Sequence, residues 1–357
     1  MGNLCSRGHA YKATSSHNMS DVPLSNNSEL SQQNSFHSGL FREHRLVKPD
    51  DPVSNHIIIE DSTKCDILIC KQVEQVNVDV VKDSLLYIGP TSGSVFIRDC
   101  SDLLIVAACQ QLRLANCKNI RVSLLCKTRP IIESSSNIVF YPYHGVEYKE
   151  LLSQLMKADL SPFVNSWSHI HDFTPSNDNQ KNYSTRFSTP NFPLPSDLLL
   201  ELKPSTFSPV VPLVKGSKPT TSSFAVIVLF FCQPIMKKSG EVNKKKSVVL
   251  TDRNSLFAKF FNQLSAIDST VICNRSAELT LSTVASAPSH IKPLFETGPI
   301  IAAEFSGVKG IAKKSKEVLT SMEEANPSRL RVSLPVWVAP GGEVSLSLLR
   351  LIFCEGK

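Results

Sequence analysis

The sequence predicts a multi-domain chain, a parallel β-helix followed by an α/β domain. Three observations carry this expectation. Between Val53 and Tyr143 short apolar segments recur about every eighteen residues. Residues 175–220 hold eight prolines among many Ser and Asn, the composition of an extended linker. From Ser222 onward, strand-like and helix-like apolar patterns alternate. A length of 357 residues has room for two domains, and 41% hydrophobic residues suffice for their cores.

The repeat segments begin at Ile57, Val76, Val95, Leu112 and Pro130, in steps of 19, 19, 17 and 18 residues. A second strand-like stretch follows, as in Leu103-Leu104-Ile105 and Ile120-Arg121-Val122. Strand, corner and strand at this period make one coil of a solenoid, which hides its apolar side only against its neighbours. The coil is too short for a useful helix, and the Leu-Asn signature of leucine-rich repeats is missing. Cys100 and Cys117 fall at one offset with Ser62, Val81 and Ser135, so stacked small side chains are expected at an inward corner. No CxxC or Cys/His spacing suggests a metal site there.

Alternation along the first strand of each coil sends offsets 0 and 2 inward and offset 1 outward. The outward residues are Ile58, Asn77, Phe96, Arg113 and Ile131, followed two positions on by Glu60, Asp79, Arg98, Ala115 and Glu133. One side therefore presents Arg113 between Phe96 and Ile131, with Glu133 within diagonal reach. Apolar groups on the outside of a solenoid point to a partner surface. The Arg–Glu pair itself reads equally as a solvated ion pair of small worth.

The chain starts Met1-Gly2-Asn3-Leu4-Cys5-Ser6, the acceptor pattern for N-myristoylation of Gly2. One myristoyl chain holds a protein only marginally, and Cys5 stands where a palmitoyl group would add the second anchor. Residues 7–48 carry five Lys/Arg against three Asp/Glu, so no polybasic segment supplies it. Residues 1–47 are expected to be a flexible acylated tail. No secretory leader is evident, and the ten cysteines are expected to be reduced thiols. A net charge of +6 gives no argument for nucleic acid. The longest apolar run, Phe224 to Cys232, is too short to cross a bilayer as a helix.

Three stretches, Cys109-Gln110-Gln111-Leu112-Arg113, Arg129-Pro130-Ile131-Ile132-Glu133-Ser134-Ser135-Ser136-Asn137-Ile138 and Trp167-Ser168-His169-Ile170-His171-Asp172-Phe173-Thr174-Pro175, resemble the tubulin-binding cofactor C domain family. Gly89-Pro90 and Gly93-Ser94-Val95-Phe96 extend the similarity, as does the acylated start. The resemblance implies a right-handed parallel β-helix over residues 48–175. It also implies a GTPase-activating protein for an Arf-like small GTPase in its GTP form, in ciliary traffic of lipidated proteins. In that reading Arg113 is the arginine finger, aided by Gln110 and Glu133. Gly93, Ser94, Gln111 and Leu112 lie near the bound nucleotide, and Phe96, Ile131, Glu133 and Phe173 meet the partner. GTP and Mg come with the GTPase, and the chain needs no cofactor of its own. Location at the cytoplasmic face of the plasma membrane or a ciliary or flagellar base is implied as well. Two alternatives stand beside this: activation of tubulin's GTPase in tubulin folding, and a non-catalytic scaffold that only binds a GTPase.

Beyond the coils, Glu147 to Ala158 is expected to form a short helix with Leu151, Leu152, Leu155 and Met156 on one side, covering an end or a side of the β-helix. Residues 176–220 are expected to be linker, and residues 221–357 the second domain. There, Phe224–Phe231, Val271–Cys273, Pro299–Phe305, Val332–Val338 and Val344–Phe353 read as strands. Ser255–Ile267, with Asp252 near its N-cap, and Val308–Met322 read as helices. Leu294 to Gly310 is similar to the family's C-terminal domain, which implies a ferredoxin-like fold related to nucleoside diphosphate kinase. A kinase of that type needs a nucleophilic His, and His290 has no kinase motif around it, so the domain is expected to be non-catalytic.

Overall fold

The computed structural model describes residues 37–145, 147–175, 181–188, 198, 211, 214, 225–230, 245–279, 300–307, 310–324 and 337–338. Gly2, Cys5, His290 and the expected strand over residues 344–353 lie outside them.

Twelve strands form a parallel β-helix: β1 His37–Ser38, β2 His44–Val47, β3 His56–Glu60, β4 Asp66–Ile69, β5 Gln75–Asp79, β6 Leu85–Arg98, β7 Leu104–Ala115, β8 Lys118–Cys126, β9 Ile131–Glu133, β10 Ser136–Pro142, β11 His171–Asp172 and β12 Tyr183–Thr185. The first side runs β1, β3, β5, the second half of β6, the second half of β7, β9 and β11. The other runs β2, β4, the first halves of β6 and β7, then β8, β10 and β12. A short third side is marked by the pairings Val73 to Thr91 to Cys109 to Cys126.

On the first side the alternation acts as its spacing dictates. Ile57, Ile59, Val76, Val78, Val95, Ile97, Leu112, Leu114 and Ile132 are buried in one continuous core. At the following corner Ser62, Val81, Cys100, Cys117 and Ser135 stack inward, with the Cys100 thiol donating to Val78 O and the Cys117 thiol to Ile97 O. The residue before each of these, Asp61, Val80, Asp99, Asn116 or Ser134, adopts the left-handed conformation with φ from 47° to 57°, as does Gly39 at the corresponding corner of the first coil with φ +68°. Gly, Asp and Asn tolerate it best, and Asn116 Nδ2 bonds Asp99 Oδ1 across two coils. Ser134 and Val80 are the exceptions, and of the two only Val80 is β-branched.

The other side is buried on both faces. Ile67, Ile69, Leu86, Ile88, Ile105 and Ala107 point into the β-helix, while Leu68, Leu85, Tyr87, Val106 and Ala108 point out beneath helix α1, Leu151–Lys157. Beneath it Tyr87 and Tyr143 share a hydroxyl hydrogen bond of 2.8 Å. Tyr148 donates to Gln154 Oε1, and Gln154 Nε2 donates to Cys70 O at 3.1 Å. Burial pushes the tyrosine hydroxyls up from their ordinary pKa and the Cys70 thiol up to about 12. So α1 covers a side, not an end. It is also shorter than the expected Glu147–Ala158 helix, and its inner residues are Leu151, Gln154 and Leu155, with Leu152 and Met156 half-buried. Gln154 goes inward because Tyr148 and the Cys70 carbonyl satisfy its amide.

Two boundaries move. Residues 37–47, expected in the tail, form β1 and β2, because the edge of β3 and β4 supplies pairing groups that their own weak apolar pattern does not advertise. Tyr183–Thr185, expected in the linker, pairs with β10, and Tyr183 packs edge-on to Phe140 at 6.4 Å.

The second unit orders β13 Ala225–Phe230, α2 Lys245–Ile267, β14 Ile272–Leu279, β15 Ile300–Ser306, α3 Ile311–Glu324 and β16 Trp337–Val338. Its sheet runs β14-β15-β13-β16, every described pair antiparallel. Phe257, Phe260 and Phe261 of α2 pack on Phe305 at 5.4–5.9 Å between ring centres. Helix α2 starts ten residues before Ser255, so Asp252 lies inside it and is no N-cap; no Gly or Pro between Lys245 and Ile267 stops the helix. Gly310 supplies the positive φ of +92° that precedes α3. The two units touch through Phe163 and Phe257, 5.0 Å apart edge to face, and through Ser276 Oγ, which donates to Phe163 O.

Candidate functional site

The first side of the β-helix is the one α1 leaves open, and Arg113 stands in the middle of it. Leu112 and Leu114, both fully buried, fix β7 on either side. The register aligns Asn77, Phe96, Arg113, Ile131 and His171 in one outward row, and Asp79, Arg98, Ala115 and Glu133 in the next. Arg113 Nη2 donates to Glu133 Oε2 at 2.6 Å, with side-chain exposures of 43% and 40%. The bond is diagonal, and the methyl group of Ala115, directly beside Glu133, leaves it room. Phe96 and Ile131 are half-buried, less exposed than expected, since each lies against the row's neighbours in the adjacent coils.

The remaining expected residues divide into those beside this pair and those turned elsewhere. Ser94 Oγ, in the preceding coil, donates to Gln111 Oε1 at 3.3 Å on the strand of Arg113. Gln110 is turned elsewhere: its side-chain amide donates to Ala158 O at 3.2 Å, and its carbonyl accepts from Thr128 N and Oγ1. It thereby ties the segment after α1 to β7. Gly93 answers to packing, because a Cβ there would stand 2.6 Å from the Glu74 carbonyl oxygen. Phe173 is 57% exposed, with the His171 ring edge-on at 4.5 Å. Its backbone is pinned by Phe173 N to Ile132 O, Ser134 N to Thr174 Oγ1 and Asn182 Nδ2 to Asp172 Oδ2.

Three features of the side escaped the sequence. Asp79 holds Arg98 by two bonds, Nε at 2.6 Å and Nη2 at 2.8 Å. His171 joins the Arg113 row; the buried Ile170 before it carries the alternation that marks one more coil. Arg129 Nε donates to His169 O, and partial burial together with Arg129 lowers the His169 imidazole from its ordinary pKa. On β7 itself, Cys109 is a free, buried thiol 4.0 Å from the free, buried thiol of Cys126 at the end of β8. Among the described residues no group of three His, Cys, Asp or Glu could hold a metal ion, and no helix is long and apolar enough to cross a membrane. What the side offers chemically is a guanidinium on a rigid wall, with one carboxylate setting its direction and donors to spare for an anion.

A parallel β-helix with this open side defines a protein of the cofactor C class, and residues 54–173 match the family model "Tubulin binding cofactor C". The chain is 31% identical to Protein XRP2 of Gallus gallus over 278 residues, 76% of this chain and 73% of that protein. It is 31% identical to Protein XRP2 of Homo sapiens over 285 residues, 76% of this chain and 75% of that one. Similarity to Tubulin-specific chaperone C of Mus musculus, also 31%, covers 117 residues, 33% of this chain and 34% of the relative. The chain belongs to the XRP2 family of proteins with a tubulin-binding cofactor C domain.

Proposed function

We propose that this protein is a membrane-anchored GTPase-activating protein that stimulates GTP hydrolysis by an Arf-like small GTPase, with Arg113 as its arginine finger. The observation that carries the reading is the Arg113–Glu133 pair, held at 2.6 Å on a strand that Leu112 and Leu114 lock from behind. During phosphoryl transfer, negative charge on the phosphoryl oxygens meets the guanidinium donors, and a finger supplied in trans is worth roughly 10³–10⁵ in rate. Glu133 orients the finger before docking, so that little side-chain freedom is lost on binding. Ser94 and Gln111, bonded to each other beside Arg113, form the nucleotide-proximal part. Gln110, buried Leu112 and close-packed Gly93, expected there too, hold the backbone around them instead, and Phe96, Ile131, Glu133 and Phe173 are the partner contacts. GTP and Mg²⁺ arrive with the GTPase.

Acylation of Gly2 and Cys5 would bring this side to the cytoplasmic face of the plasma membrane or a ciliary or flagellar base, in traffic of lipidated proteins. The β-α-β-β-α-β order and β14-β15-β13-β16 sheet support a ferredoxin-like reading of the second unit, which serves without catalysis. A second reading, activation of tubulin's GTPase, is favoured by the similarity to tubulin-specific chaperone C. Single-turnover GTP hydrolysis by a panel of Arf-like proteins and by tubulin, with wild type and Arg113→Ala side by side, separates them. Stimulation of an Arf-like member that Arg113→Ala abolishes is the expected result. Equal stimulation by the variant refutes the finger, and binding without stimulation by wild type leaves a scaffold.

A further inference from the structure

Among the described residues four large apolar side chains stand in solvent: Phe41, Val80, Phe173 and Ile267. Two of them belong to the Arg113 side and bracket it. Val80 ends the coil of β5, two strands before the Arg113 segment of β7, and Phe173 follows β11, two strands after it. With adjacent coils about 4.8 Å apart, the two stand roughly 19 Å apart along the axis with the finger midway. An ordinary interface covers about 800 Å² per partner, a disc of roughly 16 Å radius, so one centred on Arg113 reaches both.

Val80 is also the residue least suited to its place. Its φ is +57°, while the equivalent corners of the other coils hold Gly39, Asp61, Asp99, Asn116 and Ser134. A β-branched side chain is sterically strained in that conformation. Nor does burial offset the strain, since the side chain is 43% exposed. Yet the position is held firmly: Val80 N donates to Arg98 O at 3.1 Å, and the Asp79–Arg98 pair beside it is closed by two bonds. A strained, rigid, water-facing valine contributes nothing evident to the fold, and strain of this kind concentrates where a surface has work to do.

We propose that Val80 is the second apolar anchor of the docking side, seating in an apolar depression of the GTP-bound small GTPase while Phe173 seats at the other end and Arg113 lies between. This rests on the GTPase reading above. The test measures two quantities on Val80→Asn, which suits the left-handed corner and removes the methyl groups. Thermal unfolding reports the fold, and titration calorimetry with the Arf-like panel loaded with a non-hydrolysable GTP analogue reports docking. The expected result is a melting point raised by a few degrees together with affinity weakened about threefold to tenfold. Unchanged affinity in a variant that folds overturns the proposal. Failure of wild type to bind any panel member overturns it together with the GTPase reading. If wild type binds but does not accelerate hydrolysis, the catalytic reading alone falls, and the affinity comparison still decides Val80.

Discussion

Gly93→Ala isolates how tightly the coils are stacked at the edge of the Arg113 side. The added Cβ would stand 2.6 Å from the Glu74 carbonyl oxygen, which belongs to the backbone of the preceding coil and has no rotamer through which to escape. Either β6 moves away from β5 locally or the ladder beside it opens. Overpacking of this kind costs about 1–3 kcal/mol. For a unit of this size each kcal/mol moves the melting point by roughly 4 °C, so a fall of about 4–12 °C is expected by calorimetry. The same displacement reaches Ser94, whose hydroxyl bonds Gln111 on the strand of Arg113, so the GTPase stimulation proposed above should fall as well. Gly39→Ala serves as the comparison: its φ is +68° but nothing lies within 4 Å, so only the left-handed conformation is penalised, at about 1 kcal/mol. A Gly93→Ala melting point equal to wild type would refute the close-approach argument.

Asn165 Oδ1 accepts from Cys126 N and its Nδ2 donates to Leu124 O, satisfying backbone groups at the edge of β8; Asn165→Ala should cost about 1–3 kcal/mol in urea unfolding. In the second unit Arg275 and Glu304 form an ion pair with side chains 4% and 2% exposed, and Glu304→Ala leaves the buried guanidinium without that carboxylate. A loss of about 3–5 kcal/mol, seen in the same titration, is expected. His169 is held below its ordinary pKa in the folded state, so the unfolded chain takes up its proton first on acidification. Its contribution is complete above about pH 6.5 and declines as the pH falls toward the folded value, and the melting point of His169→Asn should vary less with pH than that of wild type over this range.

The Arg113 side was legible because it faces water: inward Val76 and Val78, Val95 and Ile97, and Leu112 and Leu114 alternate with residues that stay outside. The opposite side was not, for a physical reason. Leu104 through Ala108 is apolar throughout because α1 and its flanking segments cover what would have been the solvent face, so the period of two disappears. Nothing local announced that Tyr87 would meet Tyr143, 56 residues away, or that Gln154 would bond the carbonyl of Cys70. His37–Ser38 and Tyr183–Thr185 were missed because edge strands of two or three residues owe their existence to the neighbour they pair with. In the site, the Arg113–Glu133 approach followed from spacing alone, whereas the turn of Gln110 toward Ala158 depended on a chain segment 48 residues on.

The coils differ in length while their register does not. Ile57 aligns with Val76, Val76 with Val95, Val95 with Leu112 and Arg113 with Ile131, steps of 19, 19, 17 and 18 residues. Between β6 and β7 the register shifts from Ile88 to Thr91 and again from Thr91 to Ser94, so the slack is taken up on the short third side. Insertions and deletions are thereby confined to one hinge-like seam of the solenoid. A residue gained or lost on that seam leaves the inward–outward alternation of the flanking strands intact, provided the close approaches of Gly89 to Ile69 and of Gly93 to Glu74 are kept. The same change inside Leu112–Leu114 would turn the guanidinium into the core. The wall can therefore drift in length over evolutionary time without losing its bearing.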